Sequence, residues 1–189
     1  RARKVANLLT RLDIQDSDRV ATLAWNNYRH FELYYGISGF GAVLHTINPR
    51  LFAEQLVYII NHAEDRYIFV DLTFVPLLEA ILPHIGNVEG FIILCDEDKM
   101  PETKLPNAQC YETLLAAETD EFEWPEFPET KGASMCYTSG TTGNPKGVLY
   151  SHRSTCLHAF ASVGEEVMGL SSSSCFLPVV PMFHVNAWG

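Results

Sequence analysis

The chain of 189 residues is poor in positive charge, and this shortage excludes several classes of partner. It has 13 lysines and arginines against 23 aspartates and glutamates, which gives a formal net charge of −10. A protein that binds nucleic acid neutralises phosphates with a basic surface, so we expect no nucleic-acid partner. Adhesion to an anionic membrane is disfavoured for the same electrostatic reason.

Long apolar runs and paired cysteines are also missing. The longest apolar stretches, residues 91–95 and 175–180, are far shorter than the roughly 20 residues that cross a bilayer as a helix. The five cysteines are an odd number without a CxxC pair, which argues against a disulfide framework. Free thiols in a reducing compartment are the simpler interpretation. We therefore expect a cytoplasmic protein without a transmembrane segment.

Both ends of the chain lie inside structural patterns. The first residue is Arg1, and Val5, Leu8 and Leu9 already follow helical spacing. The other end stops at Gly189 without a polar tail. This pattern predicts that residues 1–189 are a partial domain, truncated at both ends.

Apolar strands and amphipathic helices alternate along the chain. We predict strands over residues 19–25, 42–45, 66–70, 91–95, 133–138, 148–152 and 174–179, and helices over 1–12, 28–39, 53–62, 74–85, 111–118 and 153–168. Such alternation is typical of an α/β fold with a largely parallel sheet flanked by helices. The acidic, proline-rich stretch 96–130 is predicted to be a solvated connection apart from its one short helix.

One segment carries a distinctive chemistry: residues 137–148 read YTSGTTGNPKGV. Its glycines allow backbone N–H groups to face an anion, and Lys146 adds a positive charge. Four hydroxyls could donate to phosphate oxygens or coordinate magnesium: Thr138, Ser139, Thr141 and Thr142. The segment is not a Walker A loop, because Pro145 precedes the lysine and Gly147 follows it. A small-residue surface turn is the alternative, but this inventory favours polyphosphate binding.

The same twelve residues resemble the signature phosphate loop of the AMP-forming adenylating enzymes, which include acyl-CoA synthetases, amino-acid adenylation domains and beetle luciferases. Residues 180–188, VPMFHVNAW, look like the aromatic motif of that family in the form found in medium- and long-chain fatty-acyl-CoA synthetases. Residues 41–50 and 61–65 resemble the same subfamily, and residues 151–153 are similar to what acyl-CoA synthetases carry after the loop. The resemblance covers essentially the whole chain and implies part of the large N-terminal domain of an adenylate-forming enzyme.

The resemblance implies a two-step reaction. A carboxylic acid, here a fatty acid, attacks the α-phosphate of ATP with Mg²⁺, and the acyl-adenylate then passes its acyl group to the thiol of coenzyme A. The family's acidic magnesium motif, ribose-binding aspartate, C-terminal lysine and C-terminal domain would lie beyond Gly189, so the piece alone is expected to be inactive. Relatives are often homodimers, which adds a further expectation.

The resemblance also assigns roles to individual residues. Lys146 and His184 are the candidate catalytic residues, and Thr138 is the candidate magnesium ligand. Val185 and Trp188 would border the nucleotide, with Trp188 as a movable wall towards the acyl channel. The candidates for holding phosphates are Thr138, Ser139, Gly140, Thr141, Thr142, Gly143 and Lys146.

Several alternatives stay open. His184 could be a core histidine and Trp188 a core indole. The loop could belong to an adenylating enzyme for aryl or short acids, or the chain could be a non-catalytic nucleotide-binding module.

Overall fold

The structure is a computed structural model that describes residues 1–138, 143–175, 177, 179–184 and 186. Within these residues the strands are β1 (Arg19–Leu23), β2 (Val43–Thr46), β3 (Tyr67–Val70), β4 (Gly90–Ile93), β5 (Ala108–Cys110), β6 (Gly132–Thr138) and β7 (Lys146–Ser151). The helices are α1 (Ala2–Arg11), α2 (Tyr28–Phe40), α3 (Ala53–Ala63), α4 (Val75–Ile81), α5 (Tyr111–Ala116) and α6 (His152–Val163).

The strands form one sheet in the order β5-β4-β3-β1-β2-β6-β7. Every neighbouring pair is parallel except β6 and β7, which are antiparallel. The prediction of a largely parallel α/β sheet is therefore confirmed. From β1 the chain moves to β2 on one side and then to β3 on the other. The strand order thus reverses at β1, and open α/β sheets bind ligands beside such a reversal, outside the carboxyl ends of their strands.

Helices cover both faces of the sheet and bury two apolar clusters. Helices α1, α2 and α5 pack on one face, and α3 and α4 pack on the other. Helix α1 approaches α2 so closely that a Cβ on Gly36 would lie 2.5 Å from the Cβ of Val5. Strands covered on both faces read as continuous apolar runs, which explains why β3 (YIFV) and β4 (GFII) are recognisable in the sequence. No helix among the described residues is long and apolar enough to cross a membrane.

The prediction of a solvated connection over residues 96–130 is wrong in two places. Strand β5 lies there and forms the sheet edge beside β4, while Tyr111, directly after it, is fully buried. Further on, the Phe122 ring lies 6.2 Å from that of Phe40, and a Cβ on Gly39 would meet the Trp124 ring at 2.9 Å. Aromatic side chains therefore attach this acidic segment to α2.

Two other element predictions differ from the structure. The predicted helix 74–85 is interrupted: α4 ends at Ile81, and a separate 3₁₀ turn spans Leu82–His84. The predicted strand 174–179 is wrong for its described residues, which belong to no strand. Leu177 and Val179 are 84% and 85% exposed. Among the described residues no strand lies beside them to accept their backbone hydrogen bonds.

A buried histidine joins β1 to the helix that follows it. His30 in α2 is fully buried, and its Nδ1 donates to the carbonyl oxygen of Trp25 at 3.2 Å. Its Nε2 accepts from the hydroxyl of Thr22 at 2.9 Å. Because the ring is removed from water, its charged form is disfavoured, and burial lowers the pKa of His30 to about 4.

We predict that His30 makes the protein less stable in acid. In the unfolded chain the ring binds its proton near pH 6.5, whereas in the folded protein it stays neutral down to a pKa of about 4. The unfolded state binds more protons between these values, so the free energy of unfolding should fall by about 3 kcal/mol as the pH drops through this window. Urea unfolding across this range measures the loss. Glutamine does not titrate in this range, so the free energy of unfolding of His30→Gln should fall by about 3 kcal/mol less than that of the wild type. An equal fall in the two proteins would contradict the low pKa of His30.

Candidate functional site

The two sequence motifs meet at the carboxyl edge of the sheet. Thr46 of β2 pairs in register with Cys136 of β6, and Thr138 ends β6 two residues further on. The residues after Thr138 lead into the loop that joins β6 to β7. Residues 180–186, called the aromatic segment below, are hydrogen-bonded to residues that follow β1 or end β2. The loop and the aromatic segment therefore lie at neighbouring strand ends.

The described part of the phosphate loop leaves its polar groups exposed. The hydroxyl of Thr138 has one contact, at 3.5 Å to the carbonyl oxygen of Lys146, which is too long to hold it firmly. Within the described residues the ammonium group of Lys146 forms no ion pair, and the residue is exposed. Both groups are thus available to an anionic ligand. The predicted phosphate-binding residues Ser139, Gly140, Thr141 and Thr142 lie outside the described residues.

The base of this loop is anchored to α3. The hydroxyl of Tyr137, in β6, is hydrogen-bonded to Nδ1 of His62 at 2.6 Å. Partial burial raises the pKa of Tyr137 to about 12, which favours the neutral phenol. The ring of Tyr137 also lies 5.2 Å from that of His45. The loop therefore begins from a fixed strand end.

A fully buried pair lies beneath this anchor. Nδ1 of His45 lies 2.8 Å from Oδ2 and 3.0 Å from Oδ1 of Asp65, and both side chains are 0% exposed. Burial raises the pKa of Asp65, while the neighbouring histidine opposes that rise. Removing one partner of such a pair leaves a buried polar group without compensation, which is strongly destabilising. The pair therefore supports the strand that carries the loop.

The aromatic segment buries two apolar side chains and exposes a histidine. Met182 is 0% and Phe183 3% exposed. The Phe183 ring lies 6.0 Å from that of Trp25, and the guanidinium group of Arg50 lies 5.9 Å from the Phe183 ring. His184 is exposed, so it is not a core histidine. Val185 and Trp188 lie outside the described residues, and their predicted roles stay predictions.

A cleft of about 860 Å³ opens beside His184. It lies between α2 and α6, over the face of β6 and β7 that points towards α2. Its walls are mostly apolar, with side chains that include Tyr34, Leu44 and Ala159. Such a cleft suits a ligand with an apolar body.

Asn186 is a functional candidate that the sequence analysis missed. It is 7% exposed and lines the cleft, and its Oδ1 accepts from the hydroxyl of Thr46 at 2.8 Å. Its Nδ2 has no hydrogen-bond partner among the described residues. A buried donor left unpaired costs about 1–3 kcal/mol, which an oxygen atom of a bound molecule would recover. The only signal in the sequence is one amide within an otherwise aromatic and apolar motif.

The described residues offer few ligands for a metal ion. No three His, Cys, Asp or Glu side chains within this part of the chain form a group that could hold one. The exposed hydroxyl of Thr138 fits the role of a single protein ligand. Mg²⁺ accepts such an arrangement, since it keeps several waters and takes phosphate oxygens as further ligands.

Comparison with known proteins identifies a family and several relatives to which this chain is similar. A model of the AMP-binding enzyme family matches residues 1–189. The 3-methylmercaptopropionyl-CoA ligase of Ruegeria pomeroyi is 54% identical over 188 residues, which is 100% of this chain and 35% of that protein. The medium-chain-fatty-acid–CoA ligase of Ectopseudomonas oleovorans is 50% identical over 189 residues, with the same shares.

A solved structure shows the same fold. An anthranilate CoA ligase in complex with anthranoyl-AMP superposes with a TM-score of 0.87 and 25% identity, over 96% of this chain and 34% of that one. The chain thus spans about a third of the length of the curated relatives it matches.

We predict that position 143 requires glycine, because the backbone there adopts a conformation that other residues rarely take. Its φ is +114°, where side chains are strained, although a Cβ there would meet no atom within 4 Å. Gly143→Ala should therefore lower the free energy of unfolding by about 1–2 kcal/mol. Gly86 is the matched control, because a Cβ there also meets nothing and its φ lies outside the positive region. Gly86→Ala should change stability by less than about 0.5 kcal/mol. Equal losses in the two variants, measured by urea unfolding, would contradict this requirement.

Proposed function

The chain belongs to the AMP-binding enzyme family, and from this membership we infer that the whole protein is an acid–thiol ligase that forms an acyl-adenylate. We propose that residues 1–189 are part of its large N-terminal domain, truncated relative to the full enzyme. The observation that supports this most directly is the arrangement at the sheet edge. A phosphate-type loop and the aromatic segment, which borders a mostly apolar cleft, start from neighbouring strand ends.

In the proposed first step, a carboxylate oxygen of the acid attacks the α-phosphorus of ATP. The bond from that phosphorus to the bridging oxygen breaks, and pyrophosphate leaves with the negative charge. In the second step the sulfur of coenzyme A attacks the acyl carbon, and AMP leaves. Phosphoryl chemistry of this kind needs positioning and charge stabilisation more than covalent help from the protein.

The phosphate loop suits the first step. The ammonium group of Lys146, without a partner among the described residues, would lie against the outer phosphates and offset the charge that gathers on pyrophosphate. The hydroxyl of Thr138 would hold Mg²⁺, which supplies further positive charge to the phosphates when bound. The Tyr137–His62 hydrogen bond would keep the start of the loop in place meanwhile.

The cleft suits the acid. Its apolar walls would take the acyl chain, and the unpaired Nδ2 of Asn186 would donate to an oxygen of the acid or of its adenylate. His184, at the cleft and exposed before substrate binds, would cover the reacting carboxyl group and exclude water. We propose a medium- or long-chain fatty acid as substrate; the E. oleovorans relative is named for a medium-chain fatty acid.

A short acid is the second candidate, and the R. pomeroyi relative favours it. That ligase is 54% identical to this chain and is named for a short thioether acid.

A panel of straight-chain acids from acetate to palmitate, with 3-methylmercaptopropionate and anthranilate added, separates the candidates in an ATP–pyrophosphate exchange assay on the full-length protein. We expect the highest kcat/KM on a medium- or long-chain acid. A maximum on the thioether or on a shorter acid would overturn the fatty-acid assignment, and no exchange with any acid would overturn the ligase itself.

We predict that Lys146 acts on the rate of adenylation. Lys146→Ala in the full-length protein should raise the free energy of the transition state for acyl-adenylate formation by about 2–4 kcal/mol. This slows the step roughly 30- to 1,000-fold. The KM for the acid should change little, because the lost charge faces pyrophosphate. Lys99→Ala is the control: it removes an equal charge from an exposed pair with Asp96, which lies after β4. An unchanged rate in Lys146→Ala would contradict the role.

The cysteines bear on the compartment of the protein, and the family resemblance bears on its oligomeric state. All five cysteines are free thiols, three buried and two exposed, which fits a reducing compartment, and we propose the cytoplasm. A homodimer, expected from the family resemblance, stays a prediction.

A further inference from the structure

One amide side chain holds the aromatic segment against the sheet. Nδ2 of Asn26 donates to the carbonyl oxygen of Val180 at 3.0 Å, and its Oδ1 accepts from the N–H of Met182 at 2.7 Å. The partners fix which way the amide points, because a carbonyl only accepts and a backbone N–H only donates. The side chain thus bonds to the main chain on both sides of Pro181, as a residue of a parallel strand would.

The turn that carries Asn26 is held from three directions. Oδ2 of the buried Asp71, which follows β3, accepts from the N–H of Trp25 at 2.6 Å. Oδ1 of Asn27 accepts from the N–H of His30 at 2.9 Å and caps α2. His30 in turn donates to the carbonyl of Trp25. Asn26 therefore projects from a rigid support.

Two other side chains complete the attachment of the segment. The hydroxyl of Tyr34 donates to the carbonyl of Met182, and the hydroxyl of Thr46 donates to Oδ1 of Asn186. These anchors lie on both sides of His184, which is itself exposed. The position of His184 is consequently set by the anchors and not by its own packing.

We propose that Asn26 is a positioning residue that places His184 and Asn186 at the cleft. This inference rests on the proposed function, since the segment is taken to contact the acid. Asn26 touches no reacting group in this arrangement and acts only through the main chain of the segment. The phosphate loop has its own anchor in Tyr137 and His62, so loss of Asn26 impairs use of the acid more than use of ATP.

Asn26→Asp in the full-length protein is the sharpest test. Aspartate has the same shape and still accepts from the N–H of Met182, but its carboxylate cannot donate to Val180 and instead faces that carbonyl oxygen. We expect kcat/KM for the acid to fall about three- to tenfold, the range for one partly exposed hydrogen bond, while the KM for ATP changes by less than this factor. If Asn26 only fills space, this isosteric variant behaves like the wild type.

Asn7→Asp is the matched control. Nδ2 of Asn7 also donates to main-chain carbonyls, those of Thr119 and Glu121, in a part of the molecule that carries no site residue. The same substitution there removes a comparable tether. Asn7→Asp should leave kcat/KM for the acid and KM for ATP unchanged even if it lowers the free energy of unfolding.

Hydrogen exchange gives a readout that does not require activity. The peptide that spans residues 180–186 should exchange faster in Asn26→Asp than in the wild type, and should be unaffected in Asn7→Asp. If Asn26→Asp matches the wild type in this exchange, the positioning role is overturned. Equal losses for the acid and for ATP would overturn it too, because they indicate general destabilisation.

The two proposals fail in distinguishable ways. A wild-type protein that activates no acid overturns the ligase, and the exchange of residues 180–186 then decides alone whether Asn26 holds the segment. An active wild type with an unchanged acid kcat/KM in Asn26→Asp overturns the positioning role and leaves the ligase in place.

Discussion

The carboxylate of Asp71 is the contact on which the site depends. It lies after β3 and bonds to the turn after β1, across the point where the strand order reverses. Burial raises the pKa of Asp71, and the hydrogen bonds from Trp25 and Asn27 oppose that rise by favouring the ionised form. Without this bridge the start of α2 would lose a neighbour that fixes it. The turn that carries Asn26 is therefore held by one buried acid that ties two strand ends together.

The two halves of the site differ in how they are held. The proposed acid half rests on α2 and on the ends of β1 and β2, through side chains that are themselves hydrogen-bonded. The proposed nucleotide half has a fixed base at Tyr137 and exposed groups on Thr138 and Lys146 beyond it. Fixed main-chain anchors would suit the selection of one acid among many. Exposed polar groups would suit a triphosphate, which would reach them from solvent.

The sequence predicts the sheet better than it predicts the contacts at the sheet edge. Strands β3 and β4 are recognisable because burial on both faces produces continuous apolar runs. Strand β5 escapes notice because its three residues, one of them Gln109, are too few to show a period. The apolar residues 174–179 mislead for the opposite reason, since a run that favours a strand needs a neighbouring strand to pair with. Asn26 and Asn186 could not be found, because their partners are more than a hundred residues away in the chain.

The attachment of the aromatic segment has a consequence for how this fold diverges. Asn26 and Tyr34 grip main-chain atoms of residues 180 and 182, which every amino acid presents, proline's missing N–H excepted. The exposed side chain at residue 184 can therefore be exchanged by mutation while the path of the segment over the sheet is kept. The buried side chains of Met182 and Phe183 do not share that freedom, because a change of their volume would disturb the packing beneath the segment. The relatives are named for acids as different as 3-methylmercaptopropionate and medium-chain fatty acids.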